Sequence, residues 1–136
     1  MADQSDSLAD ELAIRDLLLA ISMEADVGDL DVYGALYTED AIVVSPSGTS
    51  EGREAIVAAN AARRSAGITG PGTGARHHVV PGRVTLEGDR ATVRSYFAFY
   101  TKVDGTTRLS VIGEYADEAR RDSTGWKLTR RVCTFD

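Results

Sequence analysis

The chain reads as an α+β domain: helices first, long strands after, with a pocket between the two layers. Two observations predict this. Apolar residues recur at helical spacing through the first half, and turn residues divide the second half into long alternating runs. A strongly twisted antiparallel sheet with three helices packed on its concave face buries both layers. That arrangement makes a cone with an internal cavity.

A loose tail is expected over residues 1–6 and a single domain over 7–136. Ser7 with Asp10 three residues on has the form of a capping box. Leu8, Leu12, Ile14, Leu18, Ile21 and Ala25 then give a helix over 8–27. Gly28 is expected to stop it in a left-handed cap. Asp29 caps a shorter second helix carrying Leu30, Tyr33, Leu36 and Tyr37, which Glu39 and Asp40 end.

Residues 41–45 form a brief strand, and Pro46 to Gly52 is turn chemistry. Arg53 to Ala66 is an alanine-rich third helix. Four glycines and a proline in residues 67–74 make a mobile loop, a candidate lid. Strands follow at 76–85, 91–103, 107–119 and 126–135. Gly88-Asp89, Asp104-Gly105 and Ser123-Thr124-Gly125 turn between them.

Composition narrows the function. Apolar residues make up 43% and charged residues 26%, an ordinary globular balance. A net charge of −6 with a pI near 4.9 argues against nucleic acid as a partner, because phosphates need a basic face. No apolar run reaches the length of a membrane span, and the acidic N-terminus does not read as a signal peptide. The single cysteine, Cys133, rules out an internal disulfide and fits a cytoplasmic location. No cluster has metal-ligand spacing, so neither a metal nor a cofactor is expected.

The only two histidines, His77 and His78, stand where the glycine-rich loop gives way to a strand. Asp26 lies at the end of the first helix, beside Leu18 and Ser22 on its wheel. A carboxylate buried at a helix C-terminus meets the negative end of the dipole and loses solvation. It is held there as an anion by a proton donor, and a histidine N–H is one. The other ring nitrogen is then free to take a proton, which is general acid–base catalysis. Strand alternation lets only one of the two histidines line the pocket. A bulge near Pro81 would exchange them.

The order and spacing of several segments resemble the nuclear transport factor 2-like superfamily, and within it the SnoaL-like group. They are Asp26-Val27-Gly28-Asp29-Leu30-Asp31, Leu36-Tyr37-Thr38-Glu39-Asp40-Ala41, Gly52-Arg53-Glu54-Ala55-Ile56, Arg76-His77, Gly88-Asp89-Arg90-Ala91, Gly113-Glu114-Tyr115 and Gly125-Trp126-Lys127-Leu128. The resemblance implies a cystatin-like α+β barrel. Dehydratase and dehydrochlorinase members carry an Asp–His dyad at positions matching Asp26 and His77. They imply a small cofactor-free enzyme acting on a hydrophobic organic molecule by dehydration or another elimination, isomerisation or cyclisation. The superfamily also holds non-catalytic binding modules and epoxide hydrolases, and fold alone does not choose among them. Sheet-mediated dimers are common in it, which implies a homodimer.

Ser22, Ser45, Tyr33, Phe97, Phe99 and Arg131 are the candidate substrate contacts. Arg131, alternating with Trp126 and Leu128, is a candidate to face the pocket and hold an anion. The pairs Arg63-Arg64 and Arg120-Arg121 read as solvated. The resembling dehydratases carry a tyrosine near the acid, whereas this helix has Ile21, Ser22 and Ala25, and the first strand has Val43, Ser45 and Ser47. Tyr33, Tyr37, Tyr96, Tyr100 and Tyr115 are the phenols left to supply one, with Tyr37 and Tyr115 expected to be packing residues.

Overall fold

The computed structural model describes residues 4–136. Three helices and six strands follow in the order α1 (Gln4–Val27), α2 (Leu30–Ala35), β1 (Tyr37–Ser45), β2 (Gly48–Glu51), α3 (Arg53–Ser65), β3 (Arg76–Glu87), β4 (Arg90–Val103), β5 (Thr106–Asp122) and β6 (Gly125–Phe135). The strands form one curved sheet in the order β2-β1-β6-β5-β4-β3. The helices cover its inner face. Ile14, Leu17, Leu18 and Ile21 of α1 pack with Ala91, Val93, Ala119 and Leu128 of the sheet in one core. Each such side chain contributes about 1.5–3 kcal/mol when fully buried.

The expected antiparallel sheet is in fact mixed. β1 runs parallel to β6, with Val43 opposite Arg131 and Val44 opposite Val132. β6 therefore lies inside the sheet, between β1 and β5. The sheet stays open, with β2 and β3 as its edges.

Several local expectations change. α1 already includes Gln4, so Gln4, Ser5 and Asp6 of the expected tail are helical, and its first three residues lie outside those described. Ser7 is thus inside the helix and not its cap. Asp10 is taken by a tertiary partner instead: Arg121 Nη1 donates to both its oxygens at 2.8 Å, and Trp126 Nε1 donates to one at 3.1 Å. Gly28 does not adopt a positive φ. What requires glycine there is space, since a Cβ would fall 2.7 Å from the Glu24 Cα. Asp29 does cap α2, accepting from Asp31 N–H at 2.7 Å and Val32 N–H at 3.2 Å.

α2 stops at Ala35, and Tyr37, Glu39 and Asp40 belong to β1. The Leu36 carbonyl accepts from Leu128 N–H at 3.0 Å, which starts sheet pairing there. The expected turn over 46–52 contains β2, paired back on residues 42–45 of β1. The Asp104-Gly105 turn is as expected, with both φ positive (50° and 77°).

Candidate active site

Two bulges decide what faces the cavity. β3 carries one between Pro81 and Arg83, beyond the histidines, so it does not exchange them. His77 points inward and His78 outward, where its ring lies against Tyr100. In β6, Ala119 pairs with Leu128 and Glu118 with Arg130, which leaves Thr129 as an extra residue. The phase flips there, so Leu128 and Arg131 are both buried although three apart.

Asp26, in the last turn of α1, is 2% exposed. Both its oxygens are held by one residue. Oδ2 accepts from the His77 backbone N–H at 2.7 Å, and Oδ1 lies 2.6 Å from His77 Nδ1. A carboxylate with both oxygens accepting is matched by an Nδ1–H, which leaves Nε2 as the imidazole nitrogen with no hydrogen-bond partner among the described residues. The ring is fixed from its face by Phe99, stacked at 4.4 Å between centroids. The C-terminus of α1 is tied off by Arg64, whose Nη2 donates to the carbonyls of Glu24 (2.9 Å), Ala25 (3.2 Å) and Gly28 (2.9 Å). Its charge offsets the negative end of the helix beside Asp26. Arg64 was expected to be solvated, and Asp26 owes its fixed backbone to it.

His77 lines a cavity of about 450 Å³ between the sheet and the helices. Ser22, Ser45, Tyr33, Phe97, Phe99 and Arg131 line the same cavity. The sequence-predicted residues are therefore brought together, with differences in what each offers. Ser45 Oγ is committed to its hairpin, 2.9 Å from Ser47 Oγ and 3.2 Å from the Gly48 carbonyl. Phe97 stacks on Tyr115 at 4.4 Å.

Arg131 was expected to hold an anion, but its anion is built in. Nε and Nη2 donate to the two oxygens of Asp117 at 2.8 and 2.9 Å, both residues buried. Burial opposes the guanidinium's charge, and Asp117 more than offsets this, so it stays protonated far above neutral pH. The guanidinium also lies 3.7 Å over the Tyr115 ring. This pair is neutral in sum.

Tyr37 and Tyr115, expected as packing residues, are buried and also line the cavity. Tyr37 Oη lies 3.4 Å from Tyr33 Oη, with the rings edge to face. Burial pushes both Tyr37 and Tyr115 well above the usual phenol range, so their hydroxyls keep their protons. Tyr96 is largely exposed, and the Tyr100 ring lies tilted against His78 on the outside. Asp117 was missed. Its signal was present: it alternates with the inward Tyr115 and Ala119, a lone acid in a buried phase. The loop at 67–74 is not a loose strap either, because Thr69 is buried and Ile68 and Thr69 form part of the wall.

Comparison with known proteins places this arrangement in a class. A nuclear transport factor 2-like protein with a cystatin-like fold from Novosphingobium aromaticivorans superposes with a TM-score of 0.87 at 29% identity, covering 99% of this chain and 91% of that one. A candidate scytalone dehydratase from the same organism gives a TM-score of 0.81 at 21% identity over 98% and 89% of the two chains, a likeness of fold alone. The chain belongs to the SnoaL-like domain family, whose model matches residues 6–132. It is also 40% identical over 63 residues to the beta subunit of 2-aminobenzenesulfonate 2,3-dioxygenase from an Alcaligenes species. That match spans 45% of this chain and 42% of the subunit.

Proposed function

We propose that this chain is an acid–base enzyme that removes water, or another leaving group, from a hydrophobic organic substrate. The observation that carries this is the Asp26–His77 pair: an inward-facing imidazole at a cavity wall, locked through Nδ1 by a buried carboxylate at 2.6 Å. His77 Nε2 takes a proton from a carbon next to a carbonyl. The electron pair left behind forms the new double bond as the carbon–oxygen bond breaks. The imidazolium, stabilised by Asp26, gives its proton to the departing hydroxyl, which leaves as water. General acid–base catalysis of this kind supplies typically about a hundredfold to ten-thousandfold.

Tyr33 takes the part of the phenol absent from α1. It reaches the cavity from α2, and Tyr37, kept protonated by burial, lies beside its hydroxyl. A phenol O–H donated to the substrate carbonyl favours the enolate that proton removal creates.

The test does not need the natural substrate. β-Hydroxyketones with one or two rings are incubated in deuterated buffer, and both water loss and deuterium entry next to the carbonyl are followed by NMR. Asp26→Asn keeps the shape but offers an amide N–H to Nδ1, which reverses the tautomer and places the ring proton on Nε2. His77→Ala removes the base. Each is expected to lower kcat/KM by about 10²–10⁴ with the fold retained. Unchanged turnover in either variant sinks the proposal.

A second reading is an auxiliary subunit, favoured by the 40% match to a dioxygenase beta subunit. It is supported if no substrate exchanges deuterium and the cavity still binds aromatic compounds.

A further inference from the structure

The cavity contrasts in charge with the chain that builds it. The chain carries −6 overall, yet among the described residues no aspartate or glutamate lines the cavity. Asp26 and Asp117 stand behind the wall, each spent on its cation or imidazole. The permanent cations in the lining are Arg131 and Arg63. Arg131 is neutralised by Asp117.

Arg63 differs. It sits in the last turn of α3 and is exposed at the cavity's edge. No acid on α3 lies within one turn of it: the neighbours are Ala59, Asn60, Ala66 and Gly67. No ion pair or hydrogen bond holds its guanidinium among the described residues. Exposed lining residues mark the mouth: Arg63, the hydroxyls of Thr49 and Ser110, Ser47, whose hydroxyl lies 2.9 Å from Ser45 Oγ, and the apolar Ile68 and Phe135. Farther in, the walls are aromatic: Phe97, Phe99, Tyr115 and Tyr33.

An aromatic slot whose mouth carries one unpaired guanidinium beside hydroxyls and the apolar Ile68 and Phe135 suits a flat ring system carrying an acid group at one end. We propose that the ligand of this cavity is an aromatic or polycyclic acid, a carboxylate or sulfonate, whose anion is held at the mouth by Arg63 while its ring lies against Phe97 and Phe99. A guanidinium meets either acid group with paired N–H donors, which an ammonium or a hydroxyl cannot do. The sequence offered Arg131 for this role. The structure assigns that arginine to Asp117 and leaves Arg63, read as a solvated surface residue, as the free cation. The inference rests on the reading of the cavity as the substrate site.

The test is equilibrium binding, so it is independent of turnover. Isothermal titration calorimetry compares 2-naphthoate with its neutral counterpart 2-naphthamide at low ionic strength. The wild-type chain is expected to bind the acid about tenfold more tightly than the amide. Arg63→Gln is expected to remove that preference while leaving the amide's affinity unchanged. Arg63→Lys is expected to keep part of it, and added salt to shrink it in the wild-type chain.

Equal affinities in the wild-type chain overturn the inference. So does a preference that survives in Arg63→Gln, which would return the anion to Arg131. So does the absence of 2-naphthoate binding at millimolar concentration. A chain that binds naphthoate through Arg63 but catalyses no exchange keeps this inference and retires the elimination chemistry alone.

Discussion

Two carboxylate pairs border one cavity and are built for opposite purposes. Asp26 meets a histidine on the edge strand β3, and Asp117 meets an arginine on β6 in the middle of the sheet. Their distances are similar, 2.6 Å against 2.8 and 2.9 Å. Their chemistry differs because the partners differ. Imidazole gains and loses its proton near neutral pH, so a carboxylate behind it poises a base. A guanidinium never releases its proton, so the same carboxylate yields a fixed, neutral strut. On the function proposed above, proton transfer belongs to the edge of the sheet, and the buried ion pair places charge neutralisation at its centre.

Removing one partner of the strut should produce the largest change in stability. Asp117→Ala leaves a buried guanidinium uncompensated among Tyr37, Tyr115 and the β6 backbone. Loss of one partner from a buried pair costs roughly 3–5 kcal/mol, a large part of a small domain's total. Urea denaturation is expected to show that loss. Asp26→Asn should lose far less, about 1 kcal/mol, because the amide oxygen still accepts the His77 N–H. If the two variants lose equal stability, the division into strut and base is wrong.

The second effect is alkaline and comes from the same central region. Tyr37 and Tyr115 are held neutral by burial, with folded pKa values above the usual 10. Above pH 10 the unfolded chain loses these protons and the folded chain keeps them. The unfolded state then binds fewer protons, so stability falls as pH rises from about 10 toward the folded values. Below pH 10 the contribution is fully present. The slope is about 1.4 kcal/mol per pH unit for each such tyrosine. Tyr115→Phe should flatten it. An identical slope in that variant, followed by denaturation between pH 9 and 11, would exclude Tyr115 as a source.

At the edge of the sheet, Arg64→Ala tests what holds the base in place. The carbonyls of Glu24 and Ala25 in α1, and of Gly28 just beyond it, lose their donor, at a cost of about 1–2 kcal/mol. Because Arg64 acts through Asp26, kcat should fall more than KM changes. Arg64→Lys should restore stability in part. Full activity in Arg64→Ala would separate the helix end from the dyad.

The edge region was far more legible in sequence than the centre. Asp26 and His77 came from helical spacing, strand phase and a resemblance, all of which survive as local patterns. Strand phase allowed only one of the two histidines inside, the resemblance chose His77, and the β3 bulge falls after both, so it does not exchange them. The centre depends on pairings made across long separations. β6 enters the sheet beside β1 in parallel, and a residue out of phase at Thr129 turns Arg131 inward. Nothing local announces either event. Asp117 was invisible as a partner because Arg131 comes to face it across the β5–β6 ladder only through the extra residue at Thr129. Gly28 and Ser7 were misjudged for a related reason: common local roles were assigned where the Glu24 side of the helix and the Arg121–Asp10 contact decide the outcome.

Cys133 offers a direct probe of the strut, with the smallest expected effect. It lies two residues beyond Arg131 and lines the cavity. Burial raises its thiol above the ordinary range, with Arg131 lowering it and Asp117 raising it in opposition. In the wild-type chain, iodoacetamide should therefore alkylate Cys133 several-fold more slowly at pH 8 than a free thiol. Asp117→Asn keeps the size of the side chain and removes its charge, so the Arg131 field is no longer cancelled. The thiolate is then favoured, and alkylation should accelerate. Asp26→Asn, at the edge of the sheet, should leave the rate where it was. Acceleration in both variants would mean that the cavity opened in each, and intact-mass kinetics under native conditions distinguish that outcome from a local change of charge.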